Sequence, residues 1–362
     1  MADTAIEWAS KVWNPVVGCS LQSPGCTNCY AMRMAWRLQA MAPKADGTGN
    51  YGLTHYEGTV QESRGGPVWT GKVNVAPDNV FLAPLRRKKP TDYFVNSMSD
   101  LFHPAVPFEV VDRVFAVMAL SPQHIFKVLT KRSDQMRAYL GDPATPVRVA
   151  AQIIVLAMRP DLPKLNILPA LAPRAREEDP EIAVWPLPNV WAGVSVEDQR
   201  RADERIPDLL AAPAAVRWIS AEPLLGPVRL DHVKMFDHET PEGGREAGWE
   251  SALNGKRFDP WSDGETDGWP KIDWVIVGGE SGPSARPMHP AWARSLRDQC
   301  ASAGVQFLFK QWGEYASVSE VEGPGKHHQF PDGATVRKVG KKLAGRLLDG
   351  VEHNGMPEVR HG

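Results

Sequence analysis

Seven short apolar runs, each followed by polar residues and most by a stretch of helical character, limit what this chain can fold into. The runs fall near residues 12–17, 93–98, 125–129, 190–194, 216–220, 272–277 and 305–309. Helices are predicted over 30–38, 107–120, 133–140, 198–211 and 290–303. Apolar strands alternating with helices are the pattern of a parallel sheet backed by helices. The expected fold class is therefore α/β, a partial or full (β/α) TIM-like barrel. Polar residues gather just after the runs: Ser97, Ser99 and Asp100; Lys131; Ser195 and Glu197; Glu222; Glu280; and Lys310, Gln311, Trp312 and Glu314. That edge is where barrels of this kind place their active sites. Hydrophobic residues make up 43% of the 362 and charged ones 23%, so a sizeable core is feasible.

The most specific chemical signal lies between the first run and the first helix. The stretch Gly18-Cys19-Ser20-Leu21-Gln22-Ser23-Pro24-Gly25-Cys26-Thr27-Asn28-Cys29-Tyr30 holds three of the chain's four cysteines in a Cys-x6-Cys-x2-Cys spacing. Clustered thiols in a chain with few cysteines read as metal ligands in a reducing compartment rather than as a disulfide framework. Zinc takes four protein ligands in structural sites, and an iron–sulfur cubane also takes four. Here the fourth cysteine, Cys300, lies far away in a predicted helix. Two readings stay open at this point: an open metal centre on Cys19, Cys26 and Cys29, or zinc completed by a distant His or Cys300.

Three segments interrupt the alternation and read as insertions, at about 41–75, 141–188 and 231–271, the second with one helix near 147–158. The expected organisation is a barrel over 1–317 and a loop-like C-terminal extension over 318–362. A short helix is expected over 78–89, with Pro84 inside it, ending in the basic cluster Arg86, Arg87, Lys88 and Lys89. A second basic patch holds Lys338, Lys341, Lys342 and Arg346. Net charge is −2, which gives no support for a long polyanion footprint but leaves local basic grooves open. No apolar run approaches the roughly 20 residues of a membrane span. Met1-Ala2-Asp3-Thr4 does not begin an export leader, so a cytoplasmic location is expected. Thirteen tryptophans hint at aromatic walls, with core packing as the default explanation.

With loop and alternation together, the chain resembles the radical S-adenosylmethionine (SAM) superfamily. Within it, the likeness is to a phage- and bacterial-associated family marked by three cysteines and otherwise of unknown function. The landmarks are the cysteine loop, Asn96-Ser97-Met98-Ser99-Asp100-Leu101-Phe102-His103, Leu129-Thr130-Lys131-Arg132, Gly193-Val194-Ser195-Val196-Glu197, Ile219-Ser220-Ala221-Glu222-Pro223, Gly278-Gly279-Glu280-Ser281-Gly282 and Phe309-Lys310-Gln311-Trp312-Gly313-Glu314. More loosely, the chain is similar to spore photoproduct lyase, a DNA-repair enzyme. The commonest loop of the superfamily has x3 in its first gap; the x6 here is expected to be a wider loop around an ordinary cluster.

The resemblance implies a [4Fe–4S] cluster on Cys19, Cys26 and Cys29. Its vacant iron site would chelate SAM, and an electron from a donor such as flavodoxin or ferredoxin would yield a 5′-deoxyadenosyl radical. By matched position it implies Ser97, Ser99 or Asp100 for the SAM amino group and Lys131 for its carboxylate. Ser195 and Glu197 would take the methionyl or ribose part, with Tyr30 near the cluster or adenine. Glu222, Glu280, Lys310, Gln311, Trp312 and Glu314 become substrate contacts, Trp312 by stacking on a base. His103, Glu222 and Lys310 are the candidate catalytic groups. Gly278-Gly279-Glu280 matches a superfamily SAM motif in letters but follows a late strand rather than the second. Repair or modification of a nucleic acid or nucleotide is the leading expectation. A peptide or small-metabolite substrate, or a non-enzymatic metal-stabilised module, are the alternatives.

Overall fold

The structure is a computed structural model that describes residues 2–4, 6–42, 49–173, 181–239, 245–258 and 265–358. Parts of the insertions expected at 41–75, 141–188 and 231–271 lie outside the described residues. Seven parallel strands form the central sheet: β1 (Lys11–Trp13), β2 (Asp92–Val95), β3 (Ile125–Thr130), β4 (Val190–Ser195), β5 (Val216–Ala221), β6 (Trp274–Gly278) and β7 (Gln306–Gln311). Their spatial order is their sequence order. Parallel crossovers are right-handed, so a sheet wound in one direction receives all its helices on one face. The sheet curls around its other face into a half-barrel, the partial form of the expected architecture.

The connecting helices are α1 (Tyr30–Ala40), α2 (Phe108–Ala119), α3 (Ser133–Gly141), α4 (Thr145–Ala157), α5 (Gln199–Ala211) and α6 (Pro290–Ala303). Strand alternation divides the side chains. Tyr93, Val95, Phe126, Val128, Ala192, Val194, Ile219, Val275, Val277 and Phe309 face outward into the large core shared with the helices. Phe94, Trp191, Trp218, Trp274, Ile276 and Leu308 face inward and, with Trp8, fill the floor of the half-barrel. Trp218 lies 5.1 Å from Trp8 and 5.7 Å from Trp274, centroid to centroid. Gly193 on β4 makes this possible, because a Cβ there would overlap the Trp218 ring. Lys127 is fully buried among the rings, its Nζ donating to the Trp8 carbonyl at 2.6 Å and to Asp92 at 3.2 Å. Several of the chain's tryptophans are thus floor packing, and the polar groups are left at the C-terminal edge.

Three expectations change. Val16–Val17 is a buried strand before the cysteine loop, but it pairs with Asn74–Val75 of the first insertion rather than with the main sheet. Residues 78–89 are not one helix: Pro84 starts a second turn, giving Asp78–Phe81 and Ala83–Arg86. The tail after 317 is not loop-like. Its strands Lys326–Gln329 and Thr335–Lys338 form a three-stranded antiparallel sheet with Tyr315–Ser317, and its end returns to β7. Phe309 N–H donates to the His353 carbonyl and Gly355 N–H to the Phe307 carbonyl, while Trp274 Nε1 donates to Gly355 at 2.7 Å. The described part of the insertion at 231–271 is an antiparallel meander beginning with Val233–Glu239, which packs on α5, and α4 packs on α2. Both lie against the outer helical layer.

Candidate functional site

The cysteine loop leaves β1 through Gly18, whose φ of +91° suits glycine and whose missing Cβ makes room for the Lys72 carbonyl. Gly18 bridges to Ser99 after β2, and Gly71 N–H donates to the Cys19 carbonyl at 3.1 Å. The loop then crosses the C-terminal edge of the half-barrel, held at three points by buried carboxylates.

The first hold is Asp100. Its carboxylate accepts from Arg132 Nη1 at 2.9 Å, Thr130 Oγ1 at 2.7 Å, Lys131 N–H at 3.0 Å and Phe102 N–H at 3.1 Å. Arg132 in turn donates to Ser20 Oγ at 2.8 Å and lies 3.8 Å from Cys19 Sγ. His103 completes this anchor. Its Nδ1 accepts from Ala105 N–H, which leaves the proton on Nε2, 2.9 Å from Ser20 Oγ. Burial, with Arg132 nearby, lowers the His103 pKa and favours this neutral form.

The second hold is Glu197, after β4. Ser23 Oγ donates to Oε1 at 2.6 Å, Lys131 Nζ pairs with the same oxygen, and Arg205 Nη1 donates to Oε2 at 2.9 Å. Gly25 lies flat on this carboxylate, where a Cβ would overlap it. Burial pushes the Glu197 pKa up, but Lys131 and Arg205 with the Ser23 hydroxyl outweigh it and hold the carboxyl below its usual range.

The third hold is Glu280, after β6. It receives Asn28 Nδ2 at 3.0 Å and is bracketed by Arg286 through Nη2 at 2.6 Å, Nε at 2.9 Å and the backbone N–H at 2.8 Å. Here too the ion pair and hydrogen bonds outweigh burial and lower the pKa. Cys29 then caps α1, and Tyr30, more than half exposed, donates from its hydroxyl to the Ser97 carbonyl at 3.2 Å.

The remaining sequence candidates divide. Ser97 Oγ donates to Asn14 Oδ1 at 3.2 Å and Ser99 Oγ to the Val16 carbonyl at 2.9 Å, so both sit beside the loop's base. Ser195 is buried and its carbonyl accepts from Arg205 at 2.7 Å. Lys310 and Glu222 form a partly exposed ion pair at 2.9 Å, with Ser220 Oγ donating to Glu222 at 3.2 Å. Glu314 accepts from Gly282 N–H at 2.9 Å and shapes the turn after β6. Gln311 is buried against the Gly279 carbonyl. Trp312 offers no ring for stacking: it is 1% exposed, edge-on to Phe309, with its N–H on the Leu347 carbonyl. Cys300 belongs to the helix-layer core, and its burial pushes its thiol up to about 12. Arg86, Arg87, Lys88 and Lys89 line a cavity of about 520 Å³ where the chain enters β2, at the opposite end of the strand from the loop.

Sequence reasoning missed Ser20, Ser23, Asn28 and Arg132 as loop anchors, and it missed Asn96. Asn96 ends β2 with a φ of +59°, is 2% exposed, and among the described residues neither polar atom of its side chain has a partner. Its place before Ser97 in a polar strand end was the available signal.

The donor types fit a soft iron–sulfur centre. Cys19, Cys26 and Cys29 are free thiols on one loop, Cys26 Sγ accepts from Gln22 N–H at 3.5 Å, and the Arg132 guanidinium faces Cys19. Burial, then the Asp100 charge, pushes Cys19 up to about 12 against the opposing pull of Arg132, and burial also raises Cys29. A bound metal deprotonates such thiols outright. Among the described residues no three His, Cys, Asp or Glu side chains are gathered closely enough to hold a metal ion. The loop therefore carries three thiol donors of the right type, which the described arrangement does not bring together.

Fold and site together define a half-barrel α/β protein with a three-cysteine loop strapped across the C-terminal edge of its strands. The chain belongs to the family described as protein of unknown function DUF5131, whose model matches residues 3–357. No curated protein and no solved structure matches it. No helix among the described residues is long and apolar enough to cross a membrane.

Proposed function

We propose that this protein is a radical SAM enzyme that holds a [4Fe–4S] cluster on Cys19, Cys26 and Cys29 and repairs or modifies a nucleic acid or nucleotide. The observation that carries the reading is the placement of three free thiols on a loop spanning the active edge of a parallel half-barrel. A cluster held by these cysteines would supply one-electron reduction of SAM, drawing on a flavodoxin or ferredoxin, for cleavage of its C–S bond to methionine and a 5′-deoxyadenosyl radical. The chain's own residues bind and orient. Two cations, Lys131 and Arg205, face the single carboxylate of Glu197. Lys131 is also 20% exposed, which suits it to a second anion such as the SAM carboxylate. Ser97, Ser99 and Tyr30 stand beside the loop to hold the rest of the cofactor. Glu222 and Lys310, a partly exposed ion pair at the ends of late strands, suit the substrate side. Trp floor packing below keeps water out of the lower half-barrel.

Anaerobic reconstitution with iron and sulfide tests the cluster. The wild type is expected to show iron–sulfur absorbance, and a Cys19→Ala, Cys26→Ala, Cys29→Ala triple variant to lose it; retained absorbance in the variant contradicts the assignment. Nucleic-acid affinity measured against salt tests the substrate class. Binding that weakens steeply with salt is expected, and no measurable binding argues for a peptide or metabolite instead.

A further inference from the structure

We infer that Glu197 is a positioning residue, not a cofactor contact: its carboxylate clasps residues 23–25 and so sets where Cys26 and Cys29 stand. The inference rests on the cluster reading for its consequence, but not for its geometry. Each oxygen of Glu197 is already used. Oε1 takes the Ser23 hydroxyl and Lys131, Oε2 takes Arg205, and the residue is 0% exposed. No face of the carboxylate is left for a ribose or an amino acid.

The base of the clasp is rigid. Leu225 N–H donates to the Glu197 carbonyl at 2.7 Å, and the next residue, Asp198, caps α5 by accepting from Arg201 N–H at 2.9 Å. On the loop side, Pro24–Cys26 is a single tight turn that delivers Cys26 directly after the clasped Gly25. The unusual first gap now has a physical account. Six residues let the chain run from the Arg132 anchor at Ser20 to the Glu197 anchor at Ser23 and Gly25 before the second thiol. A three-residue gap would have to forgo one anchor.

The test uses the full chain with Gly25→Ala, Ser23→Ala and Glu197→Gln. Gly25→Ala displaces the loop without changing a charge; Ser23→Ala is mild enough to fold if Gly25→Ala is not. Two readouts are taken: residue-resolved iodoacetamide labelling of the metal-free protein, with Cys300 as internal reference, and iron and sulfide bound after reconstitution. Labelling of Cys26 and Cys29 is expected to accelerate roughly tenfold relative to Cys300 as the loop opens locally, with iron content falling in parallel. Unchanged labelling and unchanged iron in Gly25→Ala and Ser23→Ala overturn the inference. If the wild type binds no iron yet labelling responds, the clasp stands and the cluster reading falls. If the wild type binds iron and the variants match it in both readouts, the reverse holds.

Discussion

Asp100, Glu197 and Glu280 are buried carboxylates, and each is paired with an arginine rather than left alone. An isolated buried carboxylate takes up a proton, and a paired one keeps its charge. Each pair sits at a strand end of the barrel and reaches out to the cysteine loop: to Ser20 by way of Arg132, to Ser23 and to Asn28. The consequence for pH has a definite sign. Glu197 is held below its usual range in the folded state, so its stabilisation is present above the unfolded value of about 4.3 and is lost as pH falls through the lower folded value. Thermal midpoints of the wild type and Glu197→Gln are expected to differ most near neutrality and to converge below about pH 4. A gap of constant size across that range contradicts the pairing.

At the scale of elements, the inward tryptophans decide how far the sheet curls. Trp218 occupies the space that a side chain at position 193 would need. Gly193→Ala is therefore expected to destabilise the fold by about 1–3 kcal/mol, the usual effect of overpacking, read as a lower denaturation midpoint. An unchanged midpoint would show that the floor repacks freely. Much at this scale was legible in the sequence. Continuous apolar runs marked β2 to β7 to within a few residues, because buried parallel strands carry their own hydrophobic signature. Pro84 was visible as a breaker, although not as the start of a second turn. The pairing of Val16–Val17 with Asn74–Val75 was not legible, since a two-residue strand has no periodicity to read. Trp312 could be read either way, as a stacking ring or as rim packing, because a strand-end tryptophan looks alike whether its ring faces a ligand or, as here, Phe309 and Leu347. The roles of Ser23 and Asn28 depend on partners 174 and 252 residues away, which leave no local trace.

For the whole molecule, a half-barrel has two free sheet edges, and exposed edges invite pairing with other chains. Ala2–Asp3 pairs antiparallel with β1 at one edge, and residues 353–355 hydrogen-bond along β7 at the other. The segment after 317, expected to be an appendage, finishes the sheet. Truncation after residue 350 is expected to lower the thermal midpoint and promote self-association seen by light scattering. A truncated chain as stable and monodisperse as the full one would show that β7 needs no cover. One-directional winding, an aromatic floor and a polar C-terminal edge set the three-cysteine loop across that edge, where the proposed function places the chemistry. The measurement that bears most directly on this is mass-spectrometric detection of 5′-deoxyadenosine after anaerobic incubation of the reconstituted protein with SAM and dithionite. Formation of 5′-deoxyadenosine by the wild type, abolished in the triple cysteine variant, is expected; a reconstituted protein that leaves SAM intact, or a triple variant that still cleaves it, contradicts the proposed function.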